Sequence, residues 1–272
     1  MRTLKNHIIL YDAECPMCKL YTGQLVKRGM LDAGGRAPYQ AMPEKVCPYV
    51  DRQRAVNEIA LVNTETGEVE YGVKSLFNVI AHSLPVFAPL FNFRPFIWLM
   101  GRAYSFVSYN RRVLAPSAGD QHSGINPTFS LKHRLAYLLF TCISVGFVLT
   151  HYAHLLTGFV PIGNPYREYL ICSGQVVFQG IIVSLYAPDK RWDYLGNMMT
   201  ISFAGALLLV PAILLCYFIQ WALFFPLYFM LVVGLMFLEH VRRTRLLQLG
   251  WLLSVTWVMY RIILLLIILN LF

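Results

Sequence analysis

Residues 7–18 read HIILYDAECPMC, and the rest of the chain is interpreted outward from them. The run His7–Asp12 is short, apolar and β-rich, suited to a buried central strand. It is followed at once by two cysteines in C-x-x-C spacing, Cys15 and Cys18. The next residues, through LVKRG, set Met17, Leu20, Leu25 and Val26 at roughly helical intervals, with Gly29 fit to end the helix. The first thiol therefore falls at a strand-to-helix junction. There, unpaired N–H groups and the helix dipole stabilise a thiolate, and the second thiol lies one turn on. Pro16 suits the first turn because its missing N–H is not needed there.

Downstream, Glu58–Gly72 (EIALVNTETGEVEYG) reads as two strands around a Thr-Gly turn. Val73–Leu84 reads as a helix, and Phe96–Val113 as a further, aromatic-rich and partly amphipathic one, able to lie on the membrane or on the first domain. Strand, C-x-x-C, helix, hairpin and helix together fit an α/β thioredoxin-like soluble domain over residues 1–115. No proline directly precedes the Glu58 strand, where thioredoxins carry one beside the active site.

Beyond residue 115 the composition changes. The whole chain of 272 residues is 57% apolar and only 14% charged, against roughly 45–50% and about 25% in soluble domains. The stretch PSAGDQHSGINP reads as a loop within a linker at 116–132. After it come five apolar segments of about span length: 135–157, 169–187, 195–218, 221–238 and 251–272. The expectation is an all-α membrane bundle over 133–272, with about five transmembrane helices. Tyr217–Gln220 divides the third segment from the fourth, and Tyr217, Trp221 and Trp251 suit interfacial anchors.

The net charge of +9 is explained by topology rather than nucleic acid, because the basic residues flank the spans. Arg111, Arg112, Lys132 and Arg134, then Lys190 and Arg191, then Arg242, Arg243 and Arg245 fall on one side, and Arg167 alone on the other. By the positive-inside rule the N-terminal domain is expected in the cytoplasm and the C-terminus outside, in a multi-pass inner-membrane protein. The start lacks an h-region and a cleavage site, in keeping with a cytoplasmic first domain. Six cysteines in that compartment speak for redox, metal or packing roles rather than a disulfide framework.

The pattern Tyr11-Asp12-x-x-Cys15-Pro16-x-Cys18 after an Ile-rich strand resembles the DCC-type thiol-disulfide oxidoreductase family. Gly72 heading a helix and a late Tyr104…Asn110-Arg111 element strengthen the resemblance, which covers roughly residues 8–112. The family's eponymous Asp, Cys and Cys correspond to Asp12, Cys15 and Cys18; Ala13 stands where the family usually has glycine. The resemblance implies supporting positions at Pro16, Tyr11, Asn110 and Arg111, and no cofactor.

By thiol chemistry, Cys15 is the attacking thiolate and Cys18 the resolving thiol. Asp12 is either a proton acceptor for Cys18 or a helix cap. The partners expected are a thiol or disulfide protein, or a small thiol, and the lipid bilayer. Zinc, with Cys47 and a histidine such as His82 completing a site, is the competing use of the thiols. The competing functions are a transporter or assembly scaffold with a docking domain, or a membrane enzyme acting on quinone or lipid. Arg261, mid-span in the fifth segment, is the pointer to that last class. Cys142, Cys172 and Cys216 read as packing, although Cys172 and Cys216 sit at matching depth. His151 and His154 share a helix face and could bind metal or haem.

Overall fold

The computed structural model describes residues 2–44, 46–116 and 128–269. The chain divides into two compact units, 1–133 and 134–272. Most of the expected linker, residues 117–127, lies outside the described residues.

In the first unit, strands β1 (His7–Tyr11), β2 (Arg36–Pro38), β3 (Ala60–Asn63) and β4 (Val69–Tyr71) form one sheet in the order β2-β1-β3-β4. β1 runs parallel to β2, while β3 is antiparallel to both β1 and β4. Alternation along β1 gives each face of the sheet its own core. Ile9, opposite Leu61, packs with Leu25, Leu31 and Val79; Leu10, opposite Ala60, packs with Tyr39, Val50 and Val56. With both faces covered, β1 can be apolar at consecutive positions.

Helix α1 (Pro16–Lys27) follows β1 directly. It ends in a Schellman turn: Gly29 adopts φ +69°, Gly29 N–H donates to Val26 O, and Met30 N–H donates to Leu25 O. The hairpin between β3 and β4 closes where Asn63 Oδ1 accepts from the N–H groups of Glu65 and Thr66 and Gly67 takes φ +76°. Helices α2 (Arg52–Asn57), α3 (Val73–Ser83), α4 (Ala88–Asn92) and α5 (Arg94–Leu114) complete the unit. The long α5 leaves Trp98 and Leu99 exposed, but buries Ser108, Asn110, Arg111 and Val113 near its C-terminal end.

The second unit is helical: α6 (Leu131–Ala153, beginning in the first unit), α7 (Arg167–Tyr186), α8 (Arg191–Leu214), α9 (Phe224–Leu246) and α10 (Leu252–Ile268). Among the described residues, four segments, 131–156, 167–186, 188–214 and 224–246, are long and apolar enough to cross a membrane. The fifth expected span is shorter than anticipated. Its helix has 17 residues, or about 25 Å at 1.5 Å per residue, against a hydrocarbon core of about 30 Å; residues 270–272 lie outside the described residues. The fourth helix runs past the expected Leu238 to Leu246, because Glu239 pairs with Arg242 and Arg243 one turn on.

Helix α8 is the centre of the bundle, with 56% of its apolar window buried against 33% or less in the other three spans. Small residues sit at the crossings: Gly146 under the Tyr169 ring, Gly174 under the Tyr260 hydroxyl, and Gly205 against Met236. A polar network missed in the sequence ties the helices together. Tyr194 Oη donates to Gln179 Oε1 (3.0 Å) and lies 3.2 Å from His240 Nε2, while His240 Nδ1 lies 3.2 Å from Ser254 Oγ. The three cationic clusters share one end of the bundle. Arg134 donates to Trp192 O, Lys190 to Leu247 O and Arg243 to Asn197 Oδ1.

Candidate functional site: a buried dithiol with an aspartate–arginine pair

Cys15 is the N-cap residue of α1, and its sulfur accepts the N–H of Cys18 at 3.3 Å. Pro16 occupies the first helical turn. Both thiols are buried, at 4% and 6% exposure, and both are free. The Cys18 thiol donates to the Cys15 sulfur, which lowers the Cys15 pKa to about 7 against the opposing effect of burial; the Cys18 N–H and the Arg111 charge help to lower it. The same hydrogen bond, with burial and the adjacent charge, pushes Cys18 strongly upward. The pair is therefore asymmetric, one thiol poised to ionise at neutral pH and the other held protonated.

Asp12 lies just before this turn and is 4% exposed. Its Oδ1 accepts from the N–H of Glu14 (3.0 Å) and from Gln40 Nε2 (2.8 Å), and its Oδ2 from Arg111 Nη2 (2.7 Å). The cap expected of Asp12 is thus made by Cys15 itself, while Asp12 closes the preceding turn and anchors Arg111. Arg111 also donates to Val56 O (2.6 Å) and Asn57 O (3.2 Å), the last residues of α2. Burial works against its charge, but Asp12 and the two sulfurs more than offset this and hold it raised. A residue 99 positions away in sequence thereby places a fixed cation beside the dithiol.

Two tyrosines complete the surroundings. Tyr104 Oη accepts the Ile59 N–H at 2.9 Å, and burial raises its pKa to about 12. Tyr21 hydrogen-bonds Cys18, and burial raises it further. Gly72 heads α3 at φ +69°, where an added Cβ would stand 3.0 Å from Glu58 and 3.6 Å from Tyr104. Sequence reading missed Gln40, Tyr21 and the α2 carbonyls, because single polar residues in loops and helices carry no spacing signal.

Other expected residues stand apart. Tyr11 lies under the Arg36 guanidinium, 4.3 Å from ring centroid to Cζ. Asn110 ties Phe106 O to His133 O through Nδ2 and does not hydrogen-bond the dithiol. Cys47 accepts from Arg52 Nη2 at 3.0 Å, and among the described residues no group of His, Cys, Asp or Glu converges as a metal site. In the bundle, Cys172 hydrogen-bonds Cys142. His151 lies in the last turn of α6 and donates from Nδ1 to Phe147 O, and His154 begins the 3-10 turn that follows Ala153.

Protein-family models, curated proteins and solved structures yield no match to this chain.

Proposed function

We propose that the chain is a membrane-anchored dithiol/disulfide oxidoreductase that exchanges two electrons with a partner through Cys15 and Cys18. The observation that carries this reading is the sulfur of Cys15 at the head of α1, holding hydrogen bonds from Cys18 with the Arg111 cation nearby. The β2-β1-β3-β4 order, with the thiols at the β1–α1 junction, supports a thioredoxin-like assignment of the first unit. The Asp12-x-x-Cys15-x-x-Cys18 pattern supports membership of the DCC-type family.

In the reducing direction, the Cys15 thiolate attacks one sulfur of a partner disulfide. The partner's S–S bond breaks and its second sulfur leaves as thiolate. Cys18 then gives up its proton, which ends on a partner sulfur, and attacks Cys15. The Cys15–Cys18 disulfide forms and the partner departs reduced by two electrons, one of its sulfurs carrying the Cys18 proton and the other leaving as a thiolate that takes its proton from water. Asp12 acts as a positioning residue: with both oxygens engaged, it holds Arg111 and the turn that presents Cys15.

The cationic end of the bundle faces the cytoplasm in this reading, in the inner membrane, by the positive-inside rule. The direct test is trapping. Cys18→Ser in the full chain should accumulate mixed disulfides on Cys15, visible as reducible adducts by mass spectrometry. Absence of adducts, with stoichiometric zinc bound through the two thiols of the unaltered protein, would refute the proposal.

A further inference from the structure

The helical unit contains a cavity of about 520 Å³, within the size range of small-molecule sites, about 300–1,000 Å³. Its wall is overwhelmingly apolar, with Leu149, Phe229, Val233 and Val258 among its residues, and it also includes Trp257 and Arg261. The Arg261 guanidinium carbon stacks 4.0 Å from the Trp257 ring centroid. Arg261 Nε and Trp257 Nε1 are both buried without a hydrogen-bond acceptor among the described residues. Trp257 is only 1% exposed, so its indole N–H has no access to solvent.

Of the other polar groups on the wall, Arg167 and Tyr152 are engaged, and Glu168 is engaged through one oxygen, Oε1. Glu168 pairs with Arg167 through Nε and Nη2, each at 2.8 Å, and Arg167 also donates to Pro161 O. Tyr152 Oη donates to Phe225 O. The unmet demand is thus one positive charge and two N–H donors, set in hydrocarbon surroundings. A cation among hydrocarbon with no counter-charge among the described residues is costly, and buried donors without acceptors, here Arg261 Nε and Trp257 Nε1, add to that. A neutral carbonyl would satisfy a donor but leave the charge uncompensated.

We infer that this cavity binds an amphiphile with an anionic oxygen headgroup, the headgroup at Arg261 and Trp257 and a hydrocarbon tail along the apolar wall. Two sources share this chemistry, a single-chain fatty acid and an anionic phospholipid of the bilayer. Either would fill the site without involving the thiols.

Quenching of tryptophan fluorescence by brominated probes tests this on the full chain in zwitterionic nanodiscs, with Trp257→Phe identifying the Trp257 signal. Bromostearate should quench saturably, and the corresponding bromostearyl alcohol should bind at least about tenfold more weakly, the size of a lost charge-assisted hydrogen bond. Arg261→Gln should bring the acid down to the level of the alcohol. Gly234→Leu should block both probes, since Gly234 lines the cavity with open space at its Cβ position. Cys15→Ser should leave binding unchanged, which separates this site from the thiol reading. Quenching by brominated phosphatidylglycerol, with the free acid silent, would identify the bilayer as the source and support the inference. Equal and measurable quenching by acid and alcohol in the unaltered protein, or silence of acid, alcohol and phosphatidylglycerol alike, would overturn it; these comparisons hold even if a variant fails to fold.

Discussion

Cys15 carries the chemistry only if its sulfur ionises near neutral pH, and the surrounding charges give that requirement a sign. With a pKa lowered to about 7, its alkylation rate should rise through pH 7 and level off above about 8, while Cys18 and Cys47 lag; peptide mapping after timed iodoacetamide pulses measures this. Linkage follows in the same direction. A thiol depressed below its unfolded value of about 8.5 adds stability above that value and loses the contribution as pH falls through about 7. Asp12 works against the Cys15 thiolate while Arg111 favours it. Asp12→Asn removes the opposing charge and should therefore shift the Cys15 midpoint downward; an unchanged rate of mixed-disulfide resolution would fit a positioning role, and a slowed one would mark Asp12 as the proton acceptor for Cys18. Arg111→Leu leaves Asp12 buried without its cation, so it should raise the Cys15 midpoint and destabilise the unit by about 3–5 kcal/mol, read from the thermal unfolding of the full chain.

At the scale of elements, the site depends on the starts and ends of helices more than on their middles. Gly72→Ala tests this, because φ +69° is strained for any residue with a Cβ and the added carbon would crowd Glu58. The substitution should cost about 1–2 kcal/mol while leaving the Cys15 midpoint unchanged. Much of this layout was legible in the sequence: the apolar run before the thiols, Gly29 as a stop, the Thr-Gly hairpin and the break at Tyr217–Gln220 each carry a local signal. What escaped was set by tertiary contact. Strand β2 is three residues long and exists because it pairs with β1; α2 is six residues long and matters for its last carbonyls. The role of Arg111 was suggested by resemblance alone, because no helical period indicates which arginine on α5 turns inward. The Gln179–Tyr194–His240–Ser254 network escaped for a similar reason, since isolated polar residues in apolar helices announce neither depth nor partner.

For the whole molecule, the joining of Arg134, Lys190 and Arg243 at one end of the bundle turns the topology into a single experiment. Single cysteines introduced into 188–190 and 247–250 of a cysteine-free chain should both resist an impermeant maleimide on intact cells and react after permeabilisation; labelling of either loop from outside would reverse the orientation. The distance in sequence between Asp12 and Arg111 has a temporal consequence. During synthesis at about 5–20 residues per second, the 99 residues separating them take about 5–20 s to be added. Throughout that interval the nascent chain carries its two cysteines without the cation beside them. In an unfinished polypeptide the Arg111 charge is therefore missing from the surroundings of Cys15, and the help it gives in lowering that thiol's pKa arrives only with α5.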